Sequence, residues 1–280
     1  MQTTSRTTIR KVNGDCLTPV LIFNRLQGTQ KFLLESSAKH ESVGRYSFIG
    51  VNPRKTYEGT GTTLTEISHL TDQAYCYEGE LIQSLKQVMP RISQHTEYPF
   101  TGGAIGFINN NQVRFQVYDT IVIFDHLTEE LIIVHTNIEA EQQTPDLDAL
   151  LTQITKGSPF QQQTNSKNEP FAYYRNLRIQ QRAAYLYYVE FVDETLIGTS
   201  NASILHVQNG LVSTDIEVVN TLTTNGKLPE AFHAIDTVMK ASEVIPHLLG
   251  YIGFNGQIDF TNAENTRILP TFDQQKGESS

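Results

Sequence analysis

The chain has 280 residues, of which 39% are hydrophobic and 18% charged, and its formal net charge is -9 at pH 7. That composition is too apolar for a disordered polymer, and lysines and arginines scattered singly argue against a nucleic-acid or anionic-membrane partner, either of which needs clustered positive charge. No apolar stretch approaches the roughly 20 residues of a membrane span, so a cytoplasmic protein of one large or two modest domains is expected.

Taken in chain order, the first strong signal is the β-branched and aromatic run at 47–51, read as a strand. Residues 81–88 read as a helix. The glycine cluster Gly102-Gly103-Ala104-Ile105-Gly106 lacks both the GxGxxG spacing and a Lys-Ser/Thr ending, so close sheet contacts explain it better than a phosphate loop. Strands follow at 120–125 and 131–135 around a hairpin loop. A helix over 146–155 carries Leu147, Leu150, Leu151 and Ile154 on one face, with Gly157 as its stop. Residues 158–169 are polar, turn-forming and aperiodic, and read as a linker between a region 1–157 and a region 170–270.

Beyond the linker, strands are expected at 185–191, 204–207 and 211–214. The last two are separated by Asn209-Gly210, which adopts the positive φ of a type I′ turn at little cost. A helix over 229–241 spaces Phe232, Ile235 and Met239 for one face, and 271–280 reads as a fraying tail. Successive hairpins with a few covering helices give an α+β class built on antiparallel sheets. Cys16 and Cys76 are isolated, and none of the histidines falls at a metal-ligand spacing, so neither a disulfide framework nor a zinc site is supported.

Several segments carry a resemblance. Phe32-Leu33-Leu34-Glu35-Ser36, Gly44-Arg45-Tyr46-Ser47-Phe48-Ile49-Gly50, the stretches 100–107, 118–126 and 170–175, and Gly250-Tyr251-Ile252-Gly253-Phe254 together resemble anthranilate synthase component I of the chorismate-binding enzymes, in a shortened form. The resemblance implies two stacked antiparallel sheets in a sandwich flanked by helices. It implies an activity, conversion of chorismate and ammonia to anthranilate and pyruvate. It further implies magnesium as cofactor, a glutamine amidotransferase subunit as ammonia source, and tryptophan as feedback inhibitor. Aminodeoxychorismate synthase component I shares much of this framework and is an alternative.

On that resemblance, Glu35 and Ser36 are candidates to meet the amino and carboxylate groups of tryptophan, although by themselves they could be a cap and a solvated charge. The segment aligned with the pocket's second wall has lost both prolines, and Ala184, Tyr185 and Leu186 stand there; a Tyr-rich strand is more often a packing element than a ligand box. The catalytic text is thinner. The Gly-Thr-Arg, Arg-Asn-Asp and Ala-Gly-Thr-x-Ser-Gly segments are missing, and Glu217 stands where the family has an active-site His. Arg267 is the candidate for the substrate-binding arginine and Glu264 for a metal carboxylate. Removing several groups that act as a unit implies little or no synthase activity, and a non-catalytic scaffold that binds tryptophan or a partner is the rival reading.

Overall fold

The computed structural model describes residues 7–36, 44–92, 97–109, 111–139, 144–158, 170–181, 183–201, 203–208, 211–214, 231–241, 248–262 and 266–270. Two antiparallel sheets form, with central strands buried on both faces and edge strands Thr7–Asn13, Ala74–Glu78 and Arg267–Pro270 largely exposed. The eight-stranded sheet runs β1(Thr7–Asn13)-β10(Glu130–Thr136)-β9(Thr120–Asp125)-β3(Tyr46–Gly50)-β2(Phe32–Ser36)-β11(Tyr185–Glu190)-β12(Glu194–Ser200)-β17(Arg267–Pro270). The nine-stranded sheet runs β14(Leu211–Thr214)-β13(Ser203–Gln208)-β16(Ile258–Asn262)-β15(Leu248–Gly253)-β7(Gly103–Ile108)-β8(Gln112–Tyr118)-β4(Lys55–Thr60)-β5(Thr63–Ser68)-β6(Ala74–Glu78). Both sheets draw strands from either side of residues 158–169.

Three apolar clusters define the layers. Phe32, Phe48, Ile123, Tyr187 and Val189 of the first sheet meet Ile105, Phe107, Leu249 and Tyr251 of the second. Leu33, Ile49, Leu186 and Tyr188 face the opposite way, toward helices α1(Pro19–Arg25), α3(Leu147–Lys156) and α4(Pro170–Gln180). The outer face of the second sheet packs Phe115, Leu205, Val207, Ile258 and Phe260 against α2(Leu81–Val88) and α5(Ala231–Ala241). The expected sandwich flanked by helices is therefore observed, as four layers: helices, sheet, sheet, helices. Arg114 of β8 ties the sheets together at one end. It pairs with Glu58 at 2.9 Å, with Glu194 of the other sheet at 2.8 Å and with Asp193, and its guanidinium lies over the Phe191 ring.

Local chemistry explains the helix ends. Thr18 Oγ1 accepts from the Leu21 amide ahead of α1, whose first residue is proline, and Asp146 accepts from the Asp148 and Ala149 amides ahead of α3. Gly157 does close α3, yet with φ −63° and a bond to the Gln153 carbonyl, without the left-handed turn that glycine stops usually supply. The helices α1 and α4, and the meander β4-β5-β6, have no counterpart among the elements expected from periodicity. Their polar runs, such as Lys55–Thr60, take strand form because neighbouring strands pair with them. Strands β13 and β14 pair antiparallel as expected, while Asn209 and Gly210 lie outside the described residues.

Two glycines are required by close approach. A Cβ on Gly106 would stand 1.9 Å from the Arg114 carbonyl oxygen, and one on Gly250 would stand 1.9 Å from that of Asp259. Of the glycine cluster read as a sheet contact, Gly103 to Gly106 lie in β7, fully buried.

Candidate functional site between the sheets

At one end of the sandwich the sheets part around a cavity of about 430 Å³. Strands β2, β3 and β11 form one wall and β13, β15 and β16 the other. The size lies in the range that holds small organic ligands.

Strand parity decides what enters it. In β2, Leu34 and Ser36 share the inward face with Phe32, whereas Glu35 shares the outward face with Leu33. The Glu35 carboxylate, 5% exposed, accordingly receives the Tyr174 hydroxyl and the Arg178 Nε at 2.9 Å, both from α4. Burial, reinforced by the Glu35 charge, pushes the Tyr174 phenol well above its ordinary range. Glu35 borders the cavity, but its carboxylate is engaged in the helix layer. Ser36 Oγ donates to the Tyr46 carbonyl at 2.7 Å, which leaves its lone pairs for another donor.

The opposite strand of this wall is β11, antiparallel to β2, with Tyr185 directly paired to Ser36 and Leu186 to Glu35. The two segments read as facing parts of one pocket are therefore register neighbours. Tyr185 and Leu186 border the cavity; Ala184 is buried but is not among the bordering residues. Tyr187 lies on the inward side, its hydroxyl 2.7 Å from Thr266 Oγ1, where the absence of a side chain on Gly198 leaves it room. Burial pushes the Tyr187 phenol up to about 12 and the Tyr185 phenol higher still, so both act as neutral hydroxyls.

The second sheet supplies Tyr251, whose ring leans on Phe100 at 4.5 Å, and a polar corner that the sequence reading did not anticipate. There Asp259 Oδ1 accepts from Ser203 Oγ at 2.6 Å, and Oδ2 stands 3.7 Å from His206 Nδ1. The Asp259 carboxylate holds His206 above its ordinary value. The signal was present in the alternation: Leu205 and Val207 pack outward, so His206 must face in, and Ile258 and Phe260 do the same for Asp259. The mouth carries Arg45, bonded to Asp125 at 2.8 Å and stacked on Tyr46.

The remaining candidates lie elsewhere or outside the description. Arg267 is in edge strand β17, exposed, with its guanidinium over the Tyr173 ring at 4.9 Å, and does not border the cavity. Glu264 and Glu217 lie outside the described residues. Among the described residues no three His, Cys, Asp or Glu side chains converge as a metal-ligand set, so no magnesium ligands are assigned. No described helix is long and apolar enough to cross a membrane.

The fold is similar to that of two solved proteins. Anthranilate synthase component I from Streptococcus pneumoniae superposes with a TM-score of 0.59 at 18% identity, covering 92% of this chain and 90% of that one. The menaquinone-specific isochorismate synthase from Escherichia coli gives 0.53 at 8% identity, covering 95% and 86%. In sequence the chain is similar to anthranilate synthase component 1, in a shortened form: 24% identity to the Lactococcus lactis protein over 74% of this chain and 60% of the relative, and 24% to that of Acetivibrio thermocellus over 73% and 57%. It thus spans about 60% of the length of these relatives. Aminodeoxychorismate synthase component 1 from Bacillus subtilis is 31% identical over a shorter 150-residue stretch. No protein-family model matches the chain.

Proposed function

We propose that this chain is a relative of anthranilate synthase component 1 that binds an aromatic amino acid, tryptophan, in the cavity between its sheets and has little or no synthase turnover. The observation that carries the reading is the pairing of Ser36 with Tyr185 across β2 and β11, with both residues bordering one cavity. Aromatic rings on both walls suit an indole, and the polar corner with Ser36 suits an amino-acid head group. The missing catalytic segments support the loss of turnover. Kinship with component 1 makes a glutamine amidotransferase subunit the partner chain to test.

Calorimetric titration of the purified chain tests the reading, with tryptophan in one experiment and chorismate plus magnesium in another. Saturable tryptophan binding is expected; at about 100 times its dissociation constant the ligand should add about 2.7 kcal/mol of stability. Chorismate binding that depends on magnesium, with steady production of anthranilate from ammonium, would replace this reading with that of a working synthase, the second possibility raised by the fold. Silence from both titrations would remove it.

A further inference from the structure

An amino-acid ligand in the cavity carries an ammonium group, and burying that charge away from water requires a counter-charge. Glu35 is not free to supply it, because Tyr174 and Arg178 already hold its carboxylate on the helix side of β2. Asp259 has the opposite disposition. Its side chain is 19% exposed, it faces inward from β16, and it borders the cavity. A carboxylate offers about four lone-pair sites. Ser203 takes one at 2.6 Å and His206 stands off at 3.7 Å, so acceptor capacity remains. The Asp259 charge also reaches across the cavity, adding to burial in raising the Tyr185 and Tyr251 phenols on the two walls.

We infer that Asp259 is the residue that receives the ammonium group of an aromatic amine or amino acid in this cavity, with Ser203 fixing its orientation and His206 as the competing cation. The inference rests on the cavity reading proposed above. Among the described residues that border the cavity with His206, the titratable and charged groups are Asp259 on β16, Tyr251 on β15, Tyr185 and Tyr187 on β11, Glu35 on β2, Tyr46 on β3 and Arg45 at the mouth. On its own strand Gln208 Oε1 lies 3.4 Å from Nε2. Protonated His206 neutralises Asp259 and repels an incoming ammonium; neutral His206 leaves the carboxylate to the ligand. Binding of ammonium ligands should therefore strengthen as pH rises through the titration of His206, and binding of a ligand without an ammonium should not.

The test is calorimetry on the full chain with tryptophan, tryptamine, which lacks the carboxylate, and indole-3-propionate, which lacks the ammonium. D259N should weaken tryptophan and tryptamine about tenfold or more, the equivalent of about 1.4 kcal/mol, and leave indole-3-propionate within about threefold. If D259N fails to fold, the unaltered chain still decides the matter. Its affinity for tryptamine should rise about threefold or more between about pH 6 and about pH 8, and that for indole-3-propionate should not. Tryptophan binding by folded D259N equal to that of the unaltered chain overturns the assignment, as does E35Q weakening tryptophan more than D259N does, or a flat tryptamine profile. In those cases the cavity reading survives. If the unaltered chain binds none of the probes, the cavity reading falls and this inference falls with it.

Discussion

Replacing Glu35 by alanine separates a carboxylate that holds a helix from one that waits for a ligand. Glu35→Ala strands the Tyr174 hydroxyl, which is fully buried, without its acceptor. An unsatisfied buried donor costs about 1–3 kcal/mol. One buried methylene is lost as well, at about 0.8 kcal/mol. The contact to Arg178 adds little, because that side chain is 43% exposed and turns to water when released, so about 0–1 kcal/mol is appropriate there. Together these come to about 2–5 kcal/mol, centred near about 3. At about 2–4 °C per kcal/mol for a chain of this size, the midpoint of thermal unfolding should fall by roughly 10 °C. Differential scanning calorimetry supplies the number, and hydrogen exchange should find the amides of α4 opening first. Residues reserved for ligands are commonly removed at small cost to stability or none. A loss below about 1 kcal/mol for Glu35→Ala would therefore refute the anchoring role and return Glu35 to the cavity.

Two further outcomes are expected. Gly106→Ala should cost about 3 kcal/mol or more in urea unfolding, because the new methyl would meet the backbone of β8 at the Arg114 carbonyl, and paired strands cannot part; a loss under about 1 kcal/mol would mean the strands separate freely. Burial holds His69, His126 and His135 below their ordinary values, so the unfolded chain binds more protons than the folded one once pH falls below about 6.5. Stability should be full above that point and decline on acidification, with a further decline in the carboxylate range as Asp125 and Asp193 lose their arginine partners. His206 works in the opposite direction: its contribution is complete below the unfolded value and lost as pH rises through its raised folded value. With His69, His126 and His135 against His206 among the described residues, the midpoint of unfolding should drop between about pH 7 and about pH 5, and a flat or rising profile would contradict the burial argument.

By itself the sequence determined the strands with the clearest alternation, 120–125 and 211–214 among them, and the helices at 81–88 and 146–155, since period and capping are local properties of a chain. Its motifs also pointed to the sandwich, through similarity to a known family. It could not determine which neighbour in Glu35-Ser36 enters the cavity. The first sheet is covered on both faces, by helices on one and by the second sheet on the other, so hydrophobic alternation no longer marks an inside. Nor could it bring His206 to Asp259, more than fifty positions apart, because β13 and β16 become neighbours only through a strand order that departs from chain order. Local propensity wrote the strands; register and layer order, which depend on contacts between distant segments, chose the side chains that meet in the cavity.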